Sequence, residues 1–287
     1  MSEQPMKTCP IQRLAAFSDG DRGGNPAGVV LCDTLPDAAT MQAIAAEVGY
    51  SETAFAAPVS DGWRVRYFAP EIEVPFCGHA TIALGAELAA RHGDGIYALQ
   101  LNEARITVEG RQQGADRMAV LQSPPTHSEP APSNLVQEAL ALFGYVDADL
   151  DSRLPPAIAE GGARHLVLPL NSRQRLADMR YEFTAGRALM SAYALTTIAL
   201  VYAEHATRFH ARNPFAAGGV YEDPATGAAA AALAGYLRDL GWPHGGAIDI
   251  VQGEDMGAPS RLHAEISPET GASIRVSGTV RSLPDPA

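Results

Sequence analysis

At 287 residues the chain is long enough for two hydrophobic cores, and its 46% hydrophobic and 19% charged residues are ordinary for a globular protein in water. With 33 acidic against 21 basic residues, a net charge of −12 and no cluster of Lys or Arg, nucleic acid and anionic membrane surfaces are excluded as expected partners. Cys9, Cys32 and Cys77 are odd in number and scattered, with neither metal-ligand spacing nor a disulfide framework. Residues 1–7 are polar and lack a signal core, and the longest apolar run, residues 192–203, is interrupted by Thr196 and Thr197 and too short to span a bilayer. Together these features predict a reduced, cytoplasmic protein.

In chain order, residues 11–17 and 28–32 read as strands separated by a Gly- and Asp-rich loop. Residues 37–48 place Met41, Ile44, Ala45 and Val48 on one helical face, and Gly49 ends the helix. Residues 51–55 are extended, and residues 63–68 are a strand of aromatic and β-branched residues. A tight turn, Pro75-Phe76-Cys77-Gly78-His79-Ala80-Thr81, then opens a helix of small residues that ends near His92-Gly93. Short strands are expected at 97–101, 105–109 and 117–122. Residues 123–133 hold four prolines among polar residues and are expected as an interdomain linker.

In the second half, residues 134–143 form a helix with Val136, Ala139, Leu140 and Phe143 in phase, and 164–170 is a buried strand. Residues 189–201 suit helix or strand, and 208–211 suits strand. Residues 218–227 form a Gly-bounded turn and open an Ala-rich helix with Ala229, Leu233, Tyr236 and Leu240 on one face. Strands at 247–251, 261–266 and 273–280 close the chain. Residues 70–88 and 214–233 share one plan: a Pro-containing loop, a tight Gly turn, then a helix of small residues.

A strand-to-helix handover gathers unpaired N–H groups and the positive end of a helix dipole, so both turns suit an anion. Taken singly, the polar residues there have two readings each. Cys77 serves as nucleophile or base, or packs as a small buried residue. His79 donates a proton or bonds nearby backbone. Glu52 is an acid/base or a solvated surface carboxylate, and Asp223 is a site residue or caps the following helix. No dinucleotide fingerprint, P-loop, HExxH or G-x-S-x-G motif is present.

In combination the motifs are specific. Gly24-Asn25-Pro26-Ala27-Gly28-Val29-Val30, Ser51-Glu52-Thr53-Ala54-Phe55, Arg66-Tyr67-Phe68-Ala69-Pro70, Cys77-Gly78-His79-Ala80-Thr81, Glu222-Asp223-Pro224-Ala225-Thr226-Gly227 and Gln252-Gly253 follow in order. The chain resembles the PhzF family of phenazine-biosynthesis-like proteins, which share the diaminopimelate epimerase fold. That resemblance implies an α+β protein of two similar, pseudo-twofold-related domains, each a sheet rolled around a central helix, with the active site in the cleft between them. The expected domains are residues 1–123, joined by a returning strand within 272–287, and residues 130–271. The resemblance also implies a homodimer, no cofactor and no metal.

The family's best-understood member isomerises trans-2,3-dihydro-3-hydroxyanthranilate by moving a proton within the ring. On that pattern Glu52 matches the glutamate that takes and returns the proton, His79 and Asp223 match its assisting groups, and Ser51, Gly78, Thr226 and Gly227 are expected to hold a small carboxylated substrate. A single partly desolvated glutamate can remove a proton and return it, while helix-start amides stabilise the charge that develops between. The racemase branch of the fold uses one cysteine from each half. Here Cys77 suits the first position, but Asp223-Pro224-Ala225-Thr226-Gly227 has no second cysteine, which leaves a racemase or epimerase using Cys77 as the alternative, beside a catalytically silent binding protein. Ala228, where relatives often carry Ser, and Gly257-Ala258-Pro259, where they often read Gly-Arg-Pro, depart from the family pattern.

Overall fold

A computed structural model describes residues 9–114 and 116–284; residues 1–7, read above for a signal core, and the end of the 272–287 segment lie outside the described residues. The chain divides into two compact units, the first from the described parts of residues 1–16, 26–119 and 280–287, the second from residues 17–25 and 120–279. Among the described residues no helix is long and apolar enough to cross a membrane.

The first unit contains β1 (Ile11–Ala16), β2 (Asn25–Leu31) from its second residue onward, α1 (Ala38–Val48), β3 (Thr53–Val59), β4 (Gly62–Phe68), β5 (Glu73–Val74), α2 (Gly78–His92), β6 (Gly95–Gln100), β7 (Arg105–Gln113) and the start of β8 (Asp116–Pro125); Asn25 itself belongs to the second unit. β2 runs parallel to β3, β3 antiparallel to β4, β4 parallel to β6 and β6 antiparallel to β7. α1 begins where the Asp37 carboxylate accepts the Thr40 N–H and ends on left-handed Gly49. It seals one face of the sheet by packing Met41 and Ala45 against Val30, Phe55 and Phe68. α2 is buried at every position from His79 to Ala89 and so has no solvent face. Small residues let the sheet close on it: a Cβ on Gly110 of β7 would lie 2.1 Å from the Gly85 carbonyl oxygen.

Cys9 and Cys32 form a disulfide with a Cα–Cα distance of 5.5 Å. This corrects the expectation that no cysteines pair. Cys9 precedes β1 and Cys32 follows β2, and the β1–β2 pairing brings together residues 23 apart in sequence. No spacing rule encodes such a contact.

The second unit continues with the end of β8, then β9 (His127–Pro130), α3 (Ser133–Phe143), β10 (Ala157–Glu160), β11 (Arg164–Leu170), α4 (Arg173–Ala177), α5 (Phe183–Ala192), β12 (Thr197–His205), β13 (Arg208–Phe215), β14 (Val220–Asp223), α6 (Gly227–Asp239), β15 (Ala247–Gln252), β16 (Ser260–Glu265) and β17 (Ser273–Ser282) as far as Thr279. Its strands pair in the order β9, β10, β11, β12, β13, β15, β16, β17. The sheet closes where β17 meets β8, with Ile274 N donating to Ser123 Oγ at 3.0 Å. Leu166, Leu168, Leu170, Ile198 and Leu200 point outward from this barrel into a core shared with α3 and α5. α5 starts where the Glu182 carboxylate accepts the N–H groups of Thr184 and Ala185.

Three expectations change here. The proline-rich stretch 123–133 is not a linker: it ends β8 and forms β9, which pairs with β10 inside the second unit. Residues 189–201 are both helix and strand, ending α5 and starting β12. α6 is buried all round from Ala229 to Arg238 rather than on one face, and Leu240, just past its end, is 41% exposed. Enclosure by a barrel demands small residues on every side of the helix, which a one-faced reading misses.

Candidate active site

In the first unit Glu52 stands immediately before β3, where its carbonyl accepts the Gly28 N–H at 3.1 Å. Parallel pairing of β2 with β3 from Gly28 and Thr53 onward holds that backbone. Cys77 is the extended residue that precedes α2 and gives the helix no side-chain cap. The Thr81 hydroxyl donates to the Cys77 carbonyl at 2.6 Å, and the Tyr67 hydroxyl bonds Thr81 Oγ1 at 2.7 Å. Burial pushes the Tyr67 phenol far above its ordinary range, so it stays protonated and donates. A strand residue thereby pins the first turn of α2.

This frame gathers four polar side chains. His79 Nε2 lies 3.4 Å from Glu52 Oε2 and 3.4 Å from Ser51 Oγ. Cys77 Sγ lies 3.4 Å from His79 Nδ1 and 3.9 Å from Nε2. The His79 and Cys77 side chains are buried, and the Glu52 side chain retains 17% exposure. The arrangement suits proton transfer: a carboxylate reachable by a small molecule, backed by an imidazole whose contact to it can tighten when substrate binds. One ligand atom each from Glu52, Cys77 and His79 lies within 4.8 Å of the others, so the same cluster could hold a metal ion.

In the second unit β13 and β14 pair antiparallel with Asn213 opposite Asp223, and α6 follows after a turn at Pro224-Ala225-Thr226. Both Asp223 oxygens are engaged. Oδ1 accepts Asn25 Nδ2 at 2.7 Å, and Oδ2 accepts the Thr226 hydroxyl at 2.6 Å. Asn25 also donates to the Ala225 carbonyl at 3.0 Å. Gln252, at the end of β15, accepts the Thr226 N–H and donates to the Asp223 carbonyl and to Thr226 Oγ1. After it, Gly253 has φ +76°, and a Cβ there would lie 2.1 Å from the Ala258 carbonyl oxygen. The outcome is a carboxylate held in one orientation beside the start of a helix.

The sequence-predicted residues thus fall into two groups, each within one unit: Ser51, Glu52, Gly78 and His79 in the first, and Asp223, Thr226 and Gly227 in the second. Sequence reasoning gave no role to Asn25, Gln252 or Tyr67. Their signal was present, since all three lie inside the motifs Gly24-Asn25-Pro26, Gln252-Gly253 and Arg66-Tyr67-Phe68. Their hydrogen bonds, however, reach residues up to 200 positions away.

A model of the phenazine biosynthesis-like protein family PhzC-PhzF matches residues 14–282. The chain is 33% identical over 282 residues to the trans-2,3-dihydro-3-hydroxyanthranilate isomerase of Pseudomonas aeruginosa, covering 92% of this chain and 94% of that one. It is 32% identical over 289 residues to an uncharacterized isomerase of Mesorhizobium japonicum, covering 94% and 95%. Its fold is similar to the crystal structure of the PhzF-family phenazine biosynthesis protein of Bacillus anthracis, with a TM-score of 0.83 at 22% identity over 97% of this chain and 98% of that one. With a rolled sheet around a buried central helix in each unit, and with a family match over almost its whole length, the chain belongs to the phenazine biosynthesis-like PhzF family and is an isomerase.

Proposed function

We propose that the enzyme moves a proton on a carbon atom of a small carboxylated metabolite without a cofactor, with Glu52 as the group that takes and returns it. The observation that carries this reading is the Glu52–His79 contact of 3.4 Å at the start of α2, in which the carboxylate keeps some access to solvent and the imidazole is buried behind it. His79 and Asp223 assist, and Ser51, Gly78, Thr226 and Gly227 hold the substrate. Neither α2 nor α6 takes a side-chain cap from its N-cap residue, which suits first-turn N–H groups that serve a substrate carboxylate or its developing negative charge. The resemblance to the P. aeruginosa isomerase supports a cyclic carboxylate as the first compound to try. A homodimer is the assembly proposed with it.

Turnover of a panel of cyclic and amino-acid-like carboxylates, beginning with trans-2,3-dihydro-3-hydroxyanthranilate, tests the assignment. Glu52→Gln is expected to lower kcat by about 10²–10⁴-fold, as loss of a general acid/base does, while Cys77→Ser stays within a few-fold of wild type. A second reading, a racemase or epimerase using Cys77, draws on the 3.4 Å approach of Cys77 Sγ to His79 Nδ1. The reverse pattern, with loss in Cys77→Ser and activity kept in Glu52→Gln, would favour it.

A further inference from the structure

We propose that Glu52, Cys77 and His79 bind one zinc-class divalent cation, and that the cation blocks this site. A thiolate, an imidazole and a carboxylate form a mixed donor set that zinc and its borderline-soft neighbours accept and that the oxygen-seeking Mg²⁺ and Ca²⁺ do not. The spacing fits as well. Tetrahedral zinc with ordinary bond lengths sets its sulfur and nitrogen ligands about 3.6 Å apart and its nitrogen and oxygen ligands about 3.4 Å apart. Here Cys77 Sγ to His79 Nε2 is 3.9 Å and His79 Nε2 to Glu52 Oε2 is 3.4 Å, and all three donor atoms lie within 4.8 Å of one another. Rotations of the Glu52 and Cys77 side chains, which stand just before β3 and α2, close the difference.

Charge supports the same conclusion. Binding releases the Cys77 proton to solvent, so thiolate and carboxylate together balance the cation. The positive end of α2 opposes a cation, an effect that two anionic ligands outweigh. Three protein ligands leave a fourth position for water, the arrangement of an open site. The binding claim stands independently of the proposed function. The blocking claim rests on it: a cation on Glu52 and His79 occupies the groups assigned to proton transfer, so zinc inhibits and a chelator restores activity.

Cobalt(II) titrated into the metal-free, full-length protein provides the test, since it reports geometry and sulfur ligation in its spectrum without any substrate. The expected result is one equivalent bound, with the intense visible bands of a tetrahedral ion and a thiolate-to-cobalt charge-transfer band, both displaced by Zn²⁺. The charge-transfer band vanishes in Cys77→Ser and persists in the Cys9→Ser/Cys32→Ser double variant. Glu52→Gln, which leaves the fold's packing in place, keeps the band but weakens Zn²⁺ binding about tenfold or more. A weak octahedral spectrum, a thiolate band that survives Cys77→Ser, or one lost with Cys9 and Cys32 would overturn the proposal.

Discussion

His165 lies on β11 with no exposed surface, and burial opposes its protonation. The Thr197 hydroxyl donates to Asn213 Oδ1 at 3.1 Å, so at 2.8 Å it accepts a hydrogen bond from His165 Nδ1–H. Among the described residues the buried Nε2 has no hydrogen-bond partner, which a lone pair tolerates far better than an N–H. Burial accordingly lowers the pKa from the ordinary 6.5 to about 3. The unfolded chain therefore binds a proton between these values that the native chain refuses, so stability present above pH 6.5 is lost as pH falls toward 3.

At 1.36 kcal/mol per pH unit, the loss from this group is about 2 kcal/mol between pH 7 and pH 5, approaching roughly 5 kcal/mol at the lower limit. Urea unfolding of wild type and His165→Gln at both pH values isolates it. The substitution has its own cost, so the quantity read is the change in the wild-type-minus-variant difference, which is expected to shift by about 2 kcal/mol against the wild type at pH 5. A difference that does not move with pH would refute the assignment of a neutral, unaccommodating histidine at this place.

Other consequences follow from single contacts. Gly110→Ala places a Cβ 2.1 Å from the Gly85 carbonyl and should destabilise by about 1–3 kcal/mol in urea unfolding, whereas an unchanged midpoint would mean that α2 and β7 are not tightly apposed. Arg212 and Glu222 form a buried two-bond pair at 2.9 and 2.5 Å. Arg212→Met alone should cost about 3–5 kcal/mol by leaving a carboxylate unpaired, and Arg212→Met/Glu222→Leu should recover most of it in the same assay. Asn25→Ala removes both donors that steady Asp223 and the Ala225 carbonyl. It should cost about 1–3 kcal/mol by the same denaturation assay and lower kcat more than Cys77→Ser does.

Local features of the fold were legible because their physics is local. Asp37 and Gly49 bracket α1 in sequence as they do in space, and the handover at Cys77 announces α2 within five residues. The hydrophobic runs of β11 and β4 likewise needed no partner to be recognised. What stayed hidden depends on pairing across the chain. β10 is four residues long and exists through β9 and β11, and the prolines that suggested a linker are tolerated at β8's end and in β9. The Cys9–Cys32 bond follows from strand neighbours, not from spacing. The site divides in the same way: Glu52 and His79 could be named from their motifs, but the Asn25 and Gln252 bonds that orient Asp223 and Thr226 appear only once distant segments meet.

The proposed role of Glu52 is to carry a proton to and from substrate carbon. Deuterium incorporation from D₂O, followed by NMR on a carboxylate that the wild-type enzyme turns over, tests it most directly. Label is expected at the carbon that gains the proton with wild type and with Cys77→Ser, and none above background with Glu52→Gln. Incorporation that continues in Glu52→Gln but disappears in Cys77→Ser would contradict it.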